Sequence, residues 1–268
     1  MNKRTIGKPM VRASYQELVS FARYFGHSGT PVIIGGWAVF FYNPYYGSVD
    51  IDVVGPSFKG TFDETIEGYE RANGYVITKR DPLGTEIVAS KTILSKTGRK
   101  IGNMEIDACS YEQPGVDEFH EDTSKTLPYA LCEKDGCKQE VIISKDCVCY
   151  VPSKPLLTLF KVKARRDRSY DITTKGSTMN SSKLEWLRSK VPKDGSDIIA
   201  LLDAANRRAT LNDKMDYEQL KSLTSDSDIT DLVVDTLQNV LKDKSALSLY
   251  GRKVNTRTIL KQVASLKT

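Results

Sequence analysis

Two short runs, Ile33-Ile34-Gly35-Gly36-Trp37-Ala38-Val39 and Gly47-Ser48-Val49-Asp50-Ile51-Asp52-Val53-Val54, are joined by a spacer bearing Tyr42, Tyr45 and Tyr46. Thirteen residues separate Gly36 from Asp50. The first run reads as an apolar strand over 32–34 that breaks at two glycines and continues as a helix over 37–42, ended by Asn43-Pro44. The second reads as a strand over 49–54. Strand side chains alternate between faces, which puts Asp50 and Asp52 on one side and Val49, Ile51 and Val53 on the core side. Paired carboxylates repel each other, and a divalent cation relieves that repulsion. Glycines at a strand-to-helix turn allow a ligand close to the backbone, and helix N-terminal amides favour phosphate. Ser48 can add a hydroxyl to a phosphate oxygen.

A third carboxylate sits in Met104-Glu105-Ile106-Asp107-Ala108, another alternating segment. If this strand lies beside 49–54, Asp107 completes a triad with Asp50 and Asp52, with Glu105 flanking it. Three carboxylates with two Mg²⁺ ions suit an in-line displacement at phosphorus.

The wider chain fits an enzyme-sized globular protein. Its 268 residues are 40% hydrophobic and 27% charged, enough to bury a core without disulfide staples. The longest apolar run, 31–42, is broken by glycines and too short to cross a membrane. Met1-Asn2-Lys3-Arg4 is basic but no apolar segment follows, so a cytoplasmic, non-membrane protein is expected. The net charge of +5 suits anionic substrates without demanding nucleic acid. Basic clusters occur at 161–168 and at Arg207-Arg208.

The chain has five cysteines. Cys132, Cys137, Cys147 and Cys149 are spaced C-x4-C and C-x-C, a poor match to zinc ligand pairs, and read first as buried thiols in a β-hairpin. His27 and His120 have no second histidine nearby, which disfavours a histidine metal site.

Periodicity predicts a helix over 11–27, with Tyr15, Leu18, Val19, Ala22 and Phe25 inward. Another helix is expected at 63–72, and strands at 75–77, 85–89, 101–108, 141–143 and 148–151. After Pro152 the pattern turns helical: a basic helix over 153–168, a Ser/Thr-rich loop over 169–182, and helices at 197–208, 229–241 and 256–266. Asp226, Ser227 and Asp228 are candidate N-caps for the helix at 229–241. An α+β chain is expected, with a mixed-sheet domain over 1–152 and an α-helical domain over 153–268.

The pattern GGWA, spacer, S-x-D-I-D-V resembles the nucleotidyltransferase superfamily of the DNA polymerase β type, and within it the AbiEii-type toxin, minimal and antibiotic nucleotidyltransferases. Leu156 to Ala164 with basic residues to Arg168 is similar to the K-x-x-A…R helix of the AbiEii-like group. Lys193-Asp194-Gly195-Ser196-Asp197-Ile198 with Leu201-Leu202 is similar to its KD-x-x-D-h…LL segment. The likeness covers about residues 30–110 and 152–203; segments 1–25 and 205–268 resemble no family. Where many relatives carry Arg and Thr before D-x-D, this chain has Tyr45-Tyr46-Gly47-Ser48.

The resemblance implies a mixed-sheet nucleotidyltransferase domain followed by a helical domain. It implies that Gly35, Gly36, Ser48 and Lys161 take nucleotide phosphates, with Lys163 second to Lys161. Asp50, Asp52 and Asp107 would bind metal and act as the catalytic carboxylates. The implied reaction is Mg²⁺-dependent transfer of a nucleoside monophosphate from an NTP such as ATP to a hydroxyl of a tRNA, protein or small-molecule acceptor. Two alternatives stand beside it: a toxin paired with an antitoxin and acting on tRNA or protein, and a non-catalytic nucleotide-binding module on the same fold.

Overall fold

The computed structural model describes residues 8–25, 31–56, 61–80, 85–204, 209–211 and 213–267. His27, Arg207-Arg208 and Met1 to Arg4 lie outside them, as do the last residues expected in the first and third-last helices. The fold is α+β. The described residues form two compact units: 1–115 with 129–153 and 207–212, and 116–128 with 154–206 and 213–268.

The first unit is built on a seven-stranded mixed sheet. Its strands are β1 (Val32–Ile33), β2 (Ile51–Gly55), β3 (Val76–Arg80), β4 (Glu86–Leu94), β5 (Lys100–Ser110), β8 (Lys138–Ser144) and β9 (Cys147–Pro152), in the order β3-β4-β5-β2-β1-β9-β8. β2 runs parallel to β5 and β1 parallel to β9, while the remaining neighbours are antiparallel. One face of the centre is apolar by alternation: Ile51 is level with Ile106 and Val53 with Ala108, all buried. Each of Ile51, Ile106 and Val53 contributes about 1.5–3 kcal/mol through burial.

Three helices belong to this unit: α1 (Pro9–Phe25), α2 (Gly35–Tyr42) and α3 (Thr61–Ala72). α1 buries Val11, Ser14, Leu18, Phe21 and Ala22. Leu18 and Ala22 face inward as the periodicity predicts, but Tyr15, Val19 and Phe25 are only half-buried and Phe21 takes a core position. The stripe is rotated because Ser14 has a task inside: its Oγ accepts the indole N–H of Trp37 at 2.9 Å. α2 is apolar on every side and buried from Trp37 to Tyr42, as a helix inside a core must be. The Tyr42 hydroxyl finds an acceptor in the Pro152 carbonyl at 2.9 Å. Trp37 and Tyr42 are therefore core residues.

The strand expected over 49–54 begins instead at Ile51. Val49 precedes it and is 36% exposed, so it does not join the core face as its position in the alternation suggests.

The second unit holds a two-stranded ribbon, β6 (Glu118–Phe119) and β7 (Asp122–Thr126), and the helices α4 (Lys154–Lys175), α5 (Ser181–Leu202), α6 (Tyr217–Asp226), α7 (Thr230–Val240), α8 (Lys244–Tyr250) and α9 (Thr256–Ala264). The loop expected over 169–182 is mostly helix, because its hydroxyls are absorbed by the helix itself. Ser169, Thr173 and Thr174 each donate to the carbonyl four residues back, at 2.8, 2.9 and 2.8 Å. Only residues 176–180 separate α4 from α5, with Asn180 capping α5 by accepting from the Lys183 amide at 2.8 Å. Asp226, Ser227 and Asp228 do not cap α7. They close α6, Asp228 has φ 50°, and the N-cap position of α7 is Ile229 without a side-chain bond.

Candidate active site

The geometry begins at β1. Ile34 donates its N–H to the Asp52 carbonyl at 2.9 Å, so the chain leaves the sheet level with Asp52 and turns at once into α2. That turn requires Gly35, whose φ is +67°. A Cβ there would lie 1.8 Å from Asp52 Oδ2, so the carboxylate occupies the space a side chain would need. A Cβ on Gly36 would lie 2.9 Å from Ser48 Oγ. The two glycines thus bring Asp52 and Ser48 against the first turn of α2. No side chain caps that turn, because its N-cap position is Ile34. Helix N-terminal amides left without a cap favour an anion.

β2 and β5 place Asp52 level with Asp107. Register partners on neighbouring strands point to the same face, so the two carboxylates stand side by side on the face opposite Ile51 and Ile106. Glu86 shares that face, lying two positions along β4 from Val88, the other register partner of Asp107. Lys79 binds Glu86 at 2.6 Å, and Gln113 donates to the same carboxylate at 3.1 Å.

Asp107 is raised from 3.8 to about 7. Desolvation by the surrounding protein is the first cause, followed by the Asp52 and Glu86 carboxylates; Lys79 opposes them and Glu105 adds a little. The Asp107 side chain still has a face open to solvent. It is hemmed in by protein on its other sides, and water and salt screen part of the repulsion.

Asp50 is placed differently. It lies in the bend before β2, and its Oδ1 accepts the Glu105 amide at 3.3 Å. Asp50 is therefore beside β5 but turned toward backbone, while Asp52 and Asp107 form the adjacent pair. Among the described residues, no group of three or more His, Cys, Asp or Glu side chains is arranged to hold a metal ion unaided. Two neighbouring carboxylates nevertheless suit Mg²⁺, which is commonly held by one or two carboxylates with substrate phosphates and water completing its shell. The all-oxygen donor set and the repulsion within the pair fit that cation.

Lys161 belongs to the second unit. It is largely buried and pairs with Asp197 at 2.9 Å and Asp194 at 3.9 Å. Lys193 bonds both oxygens of Asp197, at 2.7 and 2.8 Å. Lys163 pairs with Asp167 at 2.6 Å. The KD-x-x-D segment thus serves as the counter-charge of the basic helix.

All five cysteines are free and buried. Cys147 and Cys149 lie in β9, which pairs with β8 as a hairpin. Cavities of about 340 and 590 Å³ lie within the second unit, and neither is lined by a site residue.

Glu86 and Lys79, which tune Asp107, were not singled out from the sequence. The alternation in β4 was visible, but which strand lies beside β5 is a long-range fact that alternation does not encode.

No family model matches the chain, and no curated protein matches it. Among solved structures, an antigenic nucleotidyltransferase-like protein from Paracoccidioides brasiliensis is 13% identical, with 92% of this chain and 98% of that one covered and a TM-score of 0.45. The protein JHP933 from Helicobacter pylori is 11% identical, with 97% and 95% covered and a TM-score of 0.40. Likenesses this distant carry no argument about activity, which rests on the site alone.

Proposed function

We propose that the chain is a nucleotidyltransferase that moves a nucleoside monophosphate from an NTP to an acceptor hydroxyl and releases pyrophosphate. One observation carries the reading: two carboxylates level with each other on neighbouring parallel strands, one of them filling the space beside a glycine turn that opens a helix. Asp52 and Asp107, with Asp50 as a third donor, would hold Mg²⁺, two ions by the family resemblance, and the metal would supply charge neutralisation at the transferring phosphorus.

The protein's own groups supply the rest. The amides at the start of α2 receive phosphate oxygens, and the absence of a side chain at Gly35 and Gly36 lets the triphosphate approach the backbone. Ser48 Oγ donates to a phosphate oxygen. Asp107, kept ionised by the metal beside it, is the carboxylate that would receive the acceptor's hydroxyl proton as the acceptor oxygen bonds to phosphorus and the bond to pyrophosphate breaks.

Calorimetry with each of the four NTPs in the presence of Mg²⁺ tests the reading. At least one NTP is expected to bind, with affinity lost on removing Mg²⁺ and reduced at least tenfold in Asp52→Asn. Failure of all four NTPs to bind would sink it.

A further inference from the structure

The chain's two tryptophans lie in opposite environments. Trp37 is fully buried, whereas Trp186 on α5 is 48% exposed. An exposed aromatic by itself needs no explanation, but the surroundings of this one are selective. At about 100° per residue along a helix, Ser182, Lys183, Ser189 and Lys190 all fall within about 60° of Trp186. Over 182–190 that face carries two ammonium groups and two hydroxyls, with Glu185 about 100° round the helix; farther along the same face Lys193 pairs with the buried Asp197. The Lys190 ammonium stands 5.3 Å from the centre of the indole and the Arg168 guanidinium, from α4, 5.7 Å from it. Arg168 is anchored by Asp194, while Lys190 sits on a flexible stem and can leave the ring for a phosphate.

We propose that this face of α5 is a docking surface for single-stranded nucleic acid. A base stacks against Trp186 and the anchored Arg168 plane, and Lys183 and Lys190 take the flanking phosphates. Stacking on an aromatic together with backbone neutralisation is the common chemistry of sequence-tolerant single-strand binding. The occupant must be anionic to match the lysines and must offer flat rings to match the indole. An acidic peptide meets only the first requirement, and a duplex keeps its rings stacked inside.

The test uses the full chain and labelled oligo(dT) and oligo(U) of about twelve nucleotides, read by anisotropy and by tryptophan fluorescence. Neither readout needs metal, NTP or turnover, so the result is independent of the proposed transfer reaction. Binding is expected to quench Trp186 and leave the buried Trp37 emission in place. Trp186→Ala should weaken binding about 5- to 100-fold and Trp186→Phe should keep most of it. Lys183→Ala and Lys190→Ala should each flatten the dependence of log affinity on log salt by about 0.7. Lys183 is exposed, so Lys183→Ala changes surface charge and stands if Trp186→Ala fails to fold. No anisotropy change, equal affinity in Trp186→Ala, or tighter binding of a duplex or of polyglutamate would overturn the proposal.

Discussion

Asp107 and Glu70 are both carboxyls held away from their ordinary ionisation, each first by burial and then by a neighbouring carboxylate. Asp107 rises to about 7 through desolvation and then the neighbouring Asp52. The unfolded chain releases that proton near pH 4, so the native state binds more protons between about 4 and 7 and stability falls as pH rises through that window. Asp107→Asn, without metal at pH 8, should melt above the wild type by the equivalent of about 1 kcal/mol or less, since the group is partly solvated, while the proposed transfer should be lost. Equal or lower melting of the variant in a thermal scan would contradict this. Glu70 on α3 is fully buried, and both its oxygens lack a hydrogen-bond partner among the described residues. Desolvation, with Glu67 adding and Arg80 opposing, raises it from 4.5 to about 8. The same sign applies: stability is lost as pH climbs from 4.5 to about 8. Glu70→Gln should gain roughly 1–3 kcal/mol at pH 8 and little at pH 4, as read by urea melts across pH.

α4 shows why hydroxyl-rich segments mislead at the level of the element. Ser169, Thr173 and Thr174 favour loops when their hydroxyls compete with backbone bonds. Here the hydroxyls bond carbonyls within the helix, and Arg165 and Arg166 on the same helix are held by distant partners. Arg165 donates to Val191 O at 2.6 Å and to Asp243 at 2.7 Å. Arg166 bonds both oxygens of Glu121 and also Asp235. Tertiary anchoring thus extends the helix beyond its local preference. Asp243 has two duties: it caps α8 through the Ser245 and Ala246 amides at 2.8 and 3.2 Å, and it pairs Arg165. Asp243→Ala should cost about 2–3 kcal/mol, and Asp243→Asn, which keeps the cap, about half of that. Equal destabilisation in the two variants, measured by denaturant melts, would mean that the cap is idle.

Across the whole molecule the thiols are sequestered. Cys132, Cys137, Cys147 and Cys149 are all raised above the usual thiol range by burial, Cys149 to about 12. With the thiolate suppressed, an aromatic disulfide reagent should modify less than one cysteine promptly in the native protein and all five in denaturant. Rapid native modification of the 147/149 pair would contradict the burial. Much else was determined by the sequence alone. Alternation around Ile51, Val53 and Ile106 marks a strand by itself, and so does the break at Gly35-Gly36, because period and glycine freedom are local properties of the chain. The continuous apolar run of α2 likewise announces a buried helix. The tertiary structure decided the rest. It set Asp107 level with Asp52, turned Asp50 toward the Glu105 amide, exposed Val49 and brought Glu86 and Lys79 into the surroundings of Asp107. Each of these depends on which strands become neighbours and in what register. That choice is made by packing between residues far apart in the chain, and no local pattern records it.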